Sequence, residues 1–147
     1  MPPSRRQQVW ERAHRCCEYC QLPQDYDPRP FHLDHIRPQK HEGPTTVENL
    51  ALCCAACSLF KGPNPAGYDP ETDTLHPLFN PRTQRWMDHF AWNEARLMGL
   101  TAVGRTTISV LRINETLRIQ HRRLLIELGV FPPDLPPGSG KLMTDFQ

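Results

Sequence analysis

Two Cys-x-x-Cys pairs, Cys17-Glu-Tyr-Cys20 and Cys54-Ala-Ala-Cys57, stand 33 residues apart in this chain. Four thiolates in two such pairs suffice for a closed tetrahedral zinc site with no open coordination position. An ion held this way is structural, and its binding energy of about 10–16 kcal/mol would dominate the folding of a small unit. Cys16 and Cys53 adjoin the pairs and allow a shifted register, but only the set 17/20/54/57 gives the two-residue spacer twice. The competing readings are a redox dithiol or buried cysteines acting as small hydrophobes. A redox pair ordinarily comes once, beside a βαβ pattern, and none is readable here.

The rest of the composition narrows the setting. The chain has 147 residues, enough for one ordinary domain or a small module with an appendage, and 16 prolines, which favour loops and extended segments. Net charge is +1, so overall charge does not announce a nucleic-acid partner. Arginines gather between Arg105 and Arg123, a face for phosphate or, more simply, a solvated helix surface for Arg118, Arg122 and Arg123. The start "MPPSRRQQVWERAHR" has no apolar signal core, and no apolar run approaches a membrane span. Six cysteines without an export signal point to a reducing compartment, the cytoplasm by default.

Periodicity places the elements. Ser4 caps a helix that delivers the chain into "CCEYC"; "FHLDHI" and "NLALCC" read as short strands, and "AACSLFKG" as a helix ended by Gly62-Pro63. Residues 63 to 74 read as a connector. "LHPLFNPRTQRWMDHFAWNEARLMGL" suggests a hairpin turning at Asn93-Glu94, with Trp10, Trp86, Phe90 and Trp92 in the core. "TAVGRTTISVLRIN" predicts a helix. Asn114 then caps another over "ETLRIQHRRLLIELG", with Leu117, Leu124, Leu125 and Leu128 inward. The expected organisation is α+β: a small module over residues 4–65, an extension of hairpin and helices over 66–131, and a frayed tail over 132–147.

Between the pairs lie Asp34-His35 and Asn49. Phosphodiester hydrolysis needs a base, a cation at the phosphate and a group that fixes the base. His35 suits the first role, since an imidazole titrates near working pH. Asp34 would point to the opposite side of a regular strand, and a bulge or strand end would let both act on one phosphate. The Asn49 amide suits holding a backbone carbonyl of the loop. Ser58 begins a helix after the last cysteine. Lys61, His41 and Arg37 are candidate phosphate contacts, each with a plain surface reading beside it.

The run Cys17-x-x-Cys20, "DHIRP", "ENLALCCAAC" and "KG" resembles the zinc-knuckle branch of the HNH endonuclease family, with its ββα-metal fold, over about residues 8 to 63. The resemblance implies His35 as general base and Asn49 as the loop-positioning asparagine. It also implies Asp34 and Ser58 at a catalytic divalent cation (Mg2+, Mn2+ or another), structural Zn2+ on the four cysteines, and DNA as substrate. Ser58 stands where the family commonly has Asn or His, a weaker ligand. Glu42 precedes Gly43 where the family usually has two glycines. Residues 76 to 131 resemble an extension in a bacterial subgroup. Two other functions compete: a zinc-stapled module that binds DNA or protein without catalysis, and a zinc hydrolase of small substrates, disfavoured because four thiolates leave the ion no position for water.

Overall fold

The computed structural model describes residues 2–137; Met1 and residues 138–147 lie outside the described residues. Helix α1 (Arg5–Arg12) starts at a capping box in which Ser4 Oγ accepts from Gln7 N and the Gln7 side chain accepts from Ser4 N. The chain then passes through the first cysteine pair into β1 (His32–His35), which pairs antiparallel with β2 (Leu50–Cys53) in the register His32 to Cys53 and His35 to Leu50. Cys54 caps α2 (Ala55–Lys61), its sulfur accepting from Cys57 N, and Gly62 ends it with positive φ. Hairpin and helix together form the ββα unit that the alternating apolar residues and the Gly62-Pro63 stop predict.

Residues 63 to 74 are more than a connector. Ala66–Tyr68 (β3) pairs with Leu75–Pro77 (β4) in a second hairpin, closed by Asp69, whose carboxylate accepts from Glu71 N and Thr72 Oγ1. The proline and aspartate density that reads as loop here builds the turn. A short helix α3 (Trp86–His89) leads into β5 (Phe90–Asn93) and β6 (Arg96–Gly99), joined across Asn93 and Arg96 as expected. Helix α4 (Ala102–Val110), capped by Thr101, and α5 (Thr116–Glu127) complete the chain.

The inward face of α5 differs from the expected one. Leu117 is 71% exposed, and Leu124 and Leu128 also face outward; Ile119, Arg122 and Leu125 are buried. Arg122 is held inside by Ala95 O and Ile113 O, each at 2.8 Å, and lies over the Trp92 ring. Satisfied arginines thus take positions that a count of leucines gives to apolar side chains, and Arg118 and Arg122 are not a solvated face. Asn114 does not cap α5 either. Its amide pairs with the Leu97 backbone, accepting from N at 2.9 Å and donating to O at 2.8 Å, and Glu115 holds the cap position.

One apolar cluster joins the parts, running from Val9 and Tyr19 through Leu52 and Phe79 to Phe90, Leu111, Leu125 and Phe131. Trp86, Phe90 and Trp92 pack ring on ring within it. Polar ties cross the same seam. Buried Arg82 is ion-paired with Glu18 and donates to Leu50 O at 3.2 Å. Trp86 Nε1 donates to Tyr19 O at 2.8 Å, and Trp92 Nε1 to Gln21 Oε1 at 2.9 Å. In the expected tail, residues 132–137 are described, and Leu135 and Pro137 wall a hollow with Phe79 and Trp86; residues 138–147 lie outside the described residues.

Candidate active site and metal centre

The Sγ atoms of Cys17, Cys20, Cys54 and Cys57 all lie within 4.8 Å of one another, and all four residues are buried. Among the described residues this is the one grouping of three or more His, Cys, Asp or Glu side chains able to hold a metal ion. A tetrahedron with Zn–S bonds near 2.3 Å has sulfur–sulfur edges of about 3.8 Å; Cys20 and Cys54 stand 3.7 Å apart. Burial pushes the Cys17 and Cys57 thiols up, while hydrogen bonds from Cys17, Cys54 and Cys57 draw the Cys20 thiol down. Four thiolates crowded so closely would repel one another, and a dication that displaces their protons relieves that repulsion. The donor set fits a closed four-thiolate ion such as zinc. Cys16 and Cys53 are buried beside it and outside the grouping.

The loop between the strands is locked from within. Asn49 Oδ1 accepts from Arg37 N at 2.8 Å, and its Nδ2 donates to Arg37 O at 3.0 Å and Pro44 O at 2.8 Å. Asn49 O also receives Ile36 N at 2.8 Å, which extends the β1–β2 pairing past the strand end. The turn inside closes so tightly that a Cβ on Gly43 would lie 1.7 Å from Arg37 O, so a side chain there would break it. Glu42 takes the left-handed conformation itself, with φ of 66°, which is how the turn forms with one glycine. His35 ends β1 beside this loop, its Nε2 2.9 Å from Thr45 Oγ1. The imidazole lines an open hollow with Ser4, Arg5, Arg6, Leu33, Thr45 and Leu50.

Residues 17–62 match the model of the HNH endonuclease family. The HNH segment therefore spans both cysteine pairs, Asp34-His35 and Asn49. Over 119 residues the chain is 27% identical to the Septu protein PtuB of Bacillus thuringiensis, an alignment covering 79% of this chain and 43% of that protein. The chain spans less than half the length of that relative. No solved structure matches it significantly.

Within the HNH segment, Asp34 and His35 keep different company. The β1–β2 ladder pairs Asp34 with Ala51 and His35 with Leu50 without a bulge, so the two side chains leave opposite faces and converge only as far as the strand end allows. Asp34 Oδ2 is ion-paired at 2.9 Å with Lys61 Nζ, which also donates to His35 O at 2.9 Å. Lys61 is 1% exposed. It is therefore not the phosphate contact its place in "FKG" suggests: α2 packs on β1 and turns the ammonium inward to neutralise Asp34. Burial raises the Asp34 carboxyl above its ordinary range, and Lys61 works against that rise.

The side chain of Asp34 is 13% exposed. A divalent cation there would have the second carboxylate oxygen, and Ser58 lies one turn before Lys61 on the same side of α2. A hydrated hard ion needs only one or two protein oxygens, and the second Asp34 oxygen is the one left beside the Lys61 pair. Arg37 and His41 are exposed, with Arg37 Nε donating to His41 O at 2.7 Å.

Residues absent from the sequence reading also shape the site. Thr45 meets the imidazole, and exposed Arg5 and Arg6 wall its hollow. The signal for the arginines was local: the first turn of α1 carries two cations and no acid, against the usual preference at a helix start. Arg12 holds the floor, donating to Val47 O at 2.9 Å and Leu50 O at 2.7 Å.

Proposed function

We propose that the chain is a metal-dependent endonuclease that hydrolyses DNA phosphodiester bonds with His35 as general base. The observation that carries this reading is the seat of His35: an imidazole at a strand end, in an open hollow, beside a loop locked by the Asn49 amide. In the tautomer whose Nε2–H donates to Thr45 Oγ1, Nδ1 keeps its lone pair to accept a proton from water. The water oxygen then bonds to phosphorus, its proton passes to His35, and the bond to the 3′-oxygen breaks, the leaving oxyanion taking a proton from solvent water. A 5′-phosphate and a 3′-hydroxyl result, as the family resemblance implies.

Asn49 acts as a positioning residue, because it fixes the carbonyls on either side of the turn and so the exit of β1. Asp34, with Ser58, holds a Mg2+- or Mn2+-like ion, which when bound supplies charge stabilisation at the phosphate. Lys61 offsets part of the burial that raises the Asp34 carboxyl, and its ion pair aims the carboxylate. Arg5 and Arg6 meet phosphates along the strand, and the four cysteines hold structural Zn2+. Supercoiled DNA incubated with Mg2+ or Mn2+ tests the reading, with His35→Ala alongside. Cleavage that falls about 10²–10⁴-fold in the variant supports it; equal cleavage by both proteins overturns it.

The Lys61–Asp34 pair favours a second reading, in which the carboxylate is already satisfied and the chain is a zinc-stapled DNA-binding module. DNA binding without cleavage, together with no Mg2+ or Mn2+ binding in the zinc-loaded protein, would select it.

A further inference from the structure

The sulfur cluster lies at the seam between the HNH segment and α5. Arg118, in the first turn of α5, places Nη2 2.9 Å from Cys57 Sγ and 3.8 Å from Cys54 Sγ. Its Nη1 donates to Leu111 O at 2.7 Å and Arg112 O at 3.2 Å, both in the link between α4 and α5. A guanidinium is planar and rigid, so one group bonds sulfur and main chain at once and fixes their separation. One turn on, Arg122 pins α5 to Ala95 O and Ile113 O, which keeps Arg118 from swinging away.

Charge makes the contact consequential. Four thiolates around a dication carry two net negative charges, and burying them is costly unless a cation or donors compensate. No carboxylate competes for Arg118 among the described residues, whereas Arg105 is occupied by Asp69 and Glu71, and Arg82 by Glu18. Arg118 also lines, with His121 and Arg122, the small crevice through which Cys20 and Cys54 approach the surface.

We propose that Arg118 is a positioning residue of the metal centre: it neutralises and holds the Cys54 and Cys57 thiolates, so ion retention depends on α5 as well as on the two knuckles. The proposal rests on the four cysteines holding a metal and not on the nuclease reading.

The test uses the full chain loaded with Zn2+, as wild type, Arg118→Met, Arg118→Lys and, as a control on an exposed position of the same helix, Arg123→Met. Zinc transfer to a chromophoric chelator is followed with time, and far-UV circular dichroism reports folding. Loss of the outer hydrogen bonds should weaken zinc retention about 10–100-fold in Arg118→Met. Arg118→Lys should fall between, and Arg123→Met should match wild type. Wild-type zinc loss in Arg118→Met overturns the proposal, as does equal loss in Arg123→Met, which would mark general loosening of α5. If Arg118→Met does not fold, Arg118→Lys decides: wild-type zinc loss and an unshifted thiolate-to-cobalt absorption band in the Co2+-loaded protein overturn it. A wild-type chain that takes up neither Zn2+ nor Co2+ overturns the metal centre itself and this proposal with it.

Discussion

The side chain of Asn49 and the main chain of Arg37 close on each other through two hydrogen bonds, one accepted at 2.8 Å and one donated at 3.0 Å, across 12 residues of sequence. A primary amide carries an acceptor and two donors in one plane. Asn49→Asp keeps the acceptor, loses both donors and turns a charge towards the carbonyls of Arg37 and Pro44. It should cost about 1–3 kcal/mol in urea denaturation. Plasmid cleavage should fall about 10²-fold through misplacement of His35, with zinc content unchanged. Unaltered cleavage would remove Asn49 from the positioning role.

The Lys61–Asp34 pair predicts an asymmetric mutational response. Lys61→Met leaves a largely buried carboxylate without its cation and should cost about 3 kcal/mol. The double variant Lys61→Met, Asp34→Asn removes that charge and should recover part of the loss. A double-mutant cycle on unfolding free energies reads the coupling directly; additive costs would mean that the pair contributes nothing.

Arg5 and Arg6 predict a salt signature. If each meets one phosphate, the slope of log K against log salt for DNA binding should shrink by about 0.9 for Arg5→Gln and again for Arg6→Gln. The capping box at Ser4 and Gln7 does not involve either side chain, and Arg6→Gln gives up only an exposed cation–π contact with Trp10, so folding should change by no more than about 1 kcal/mol. An unchanged slope in the double variant would place DNA elsewhere on the surface.

Asp69 predicts the acid limb of stability. The Arg105 fork, at 2.9 and 3.0 Å, holds its carboxyl well below the usual carboxylate range, burial opposing and Glu71 N and Thr72 Oγ1 adding to the effect. The folded state thus binds its proton less tightly than the unfolded chain, whose value is about 3.9. The contribution is present in full above that value and is lost as pH falls below it. Melting temperature should therefore drop on acidification below about pH 4 in the wild type. Asp69→Asn should start lower at neutral pH and change less over the same interval.

Much of the HNH segment was legible before any coordinates. Cys-x-x-Cys spacing, Ser4 as a cap, Gly62 as a stop and the alternation of "FHLDHI" are local signals, each set by geometry within a few residues. The second hairpin leaves no signal in the sequence because its strands are only Ala66–Tyr68 and Leu75–Pro77, too short to show alternation between prolines. The face of α5 differs from its periodicity because periodicity ranks leucine as inward and arginine as outward. That ranking fails when carbonyl oxygens and sulfurs across the seam can satisfy a guanidinium.

The sequence by itself determined four thiols at ligand spacing, an imidazole and an amide between them, and most of the helices and strands that carry these residues. Only the tertiary structure decided which charges meet. Lys61 turned inward to Asp34 instead of outward to phosphate, Arg118 reached the sulfurs, and Arg5 and Arg6 came to wall the His35 hollow. Such pairings are set by packing between elements far apart in the chain, where the cost of burying a charge is met by whichever partner the fold brings within reach.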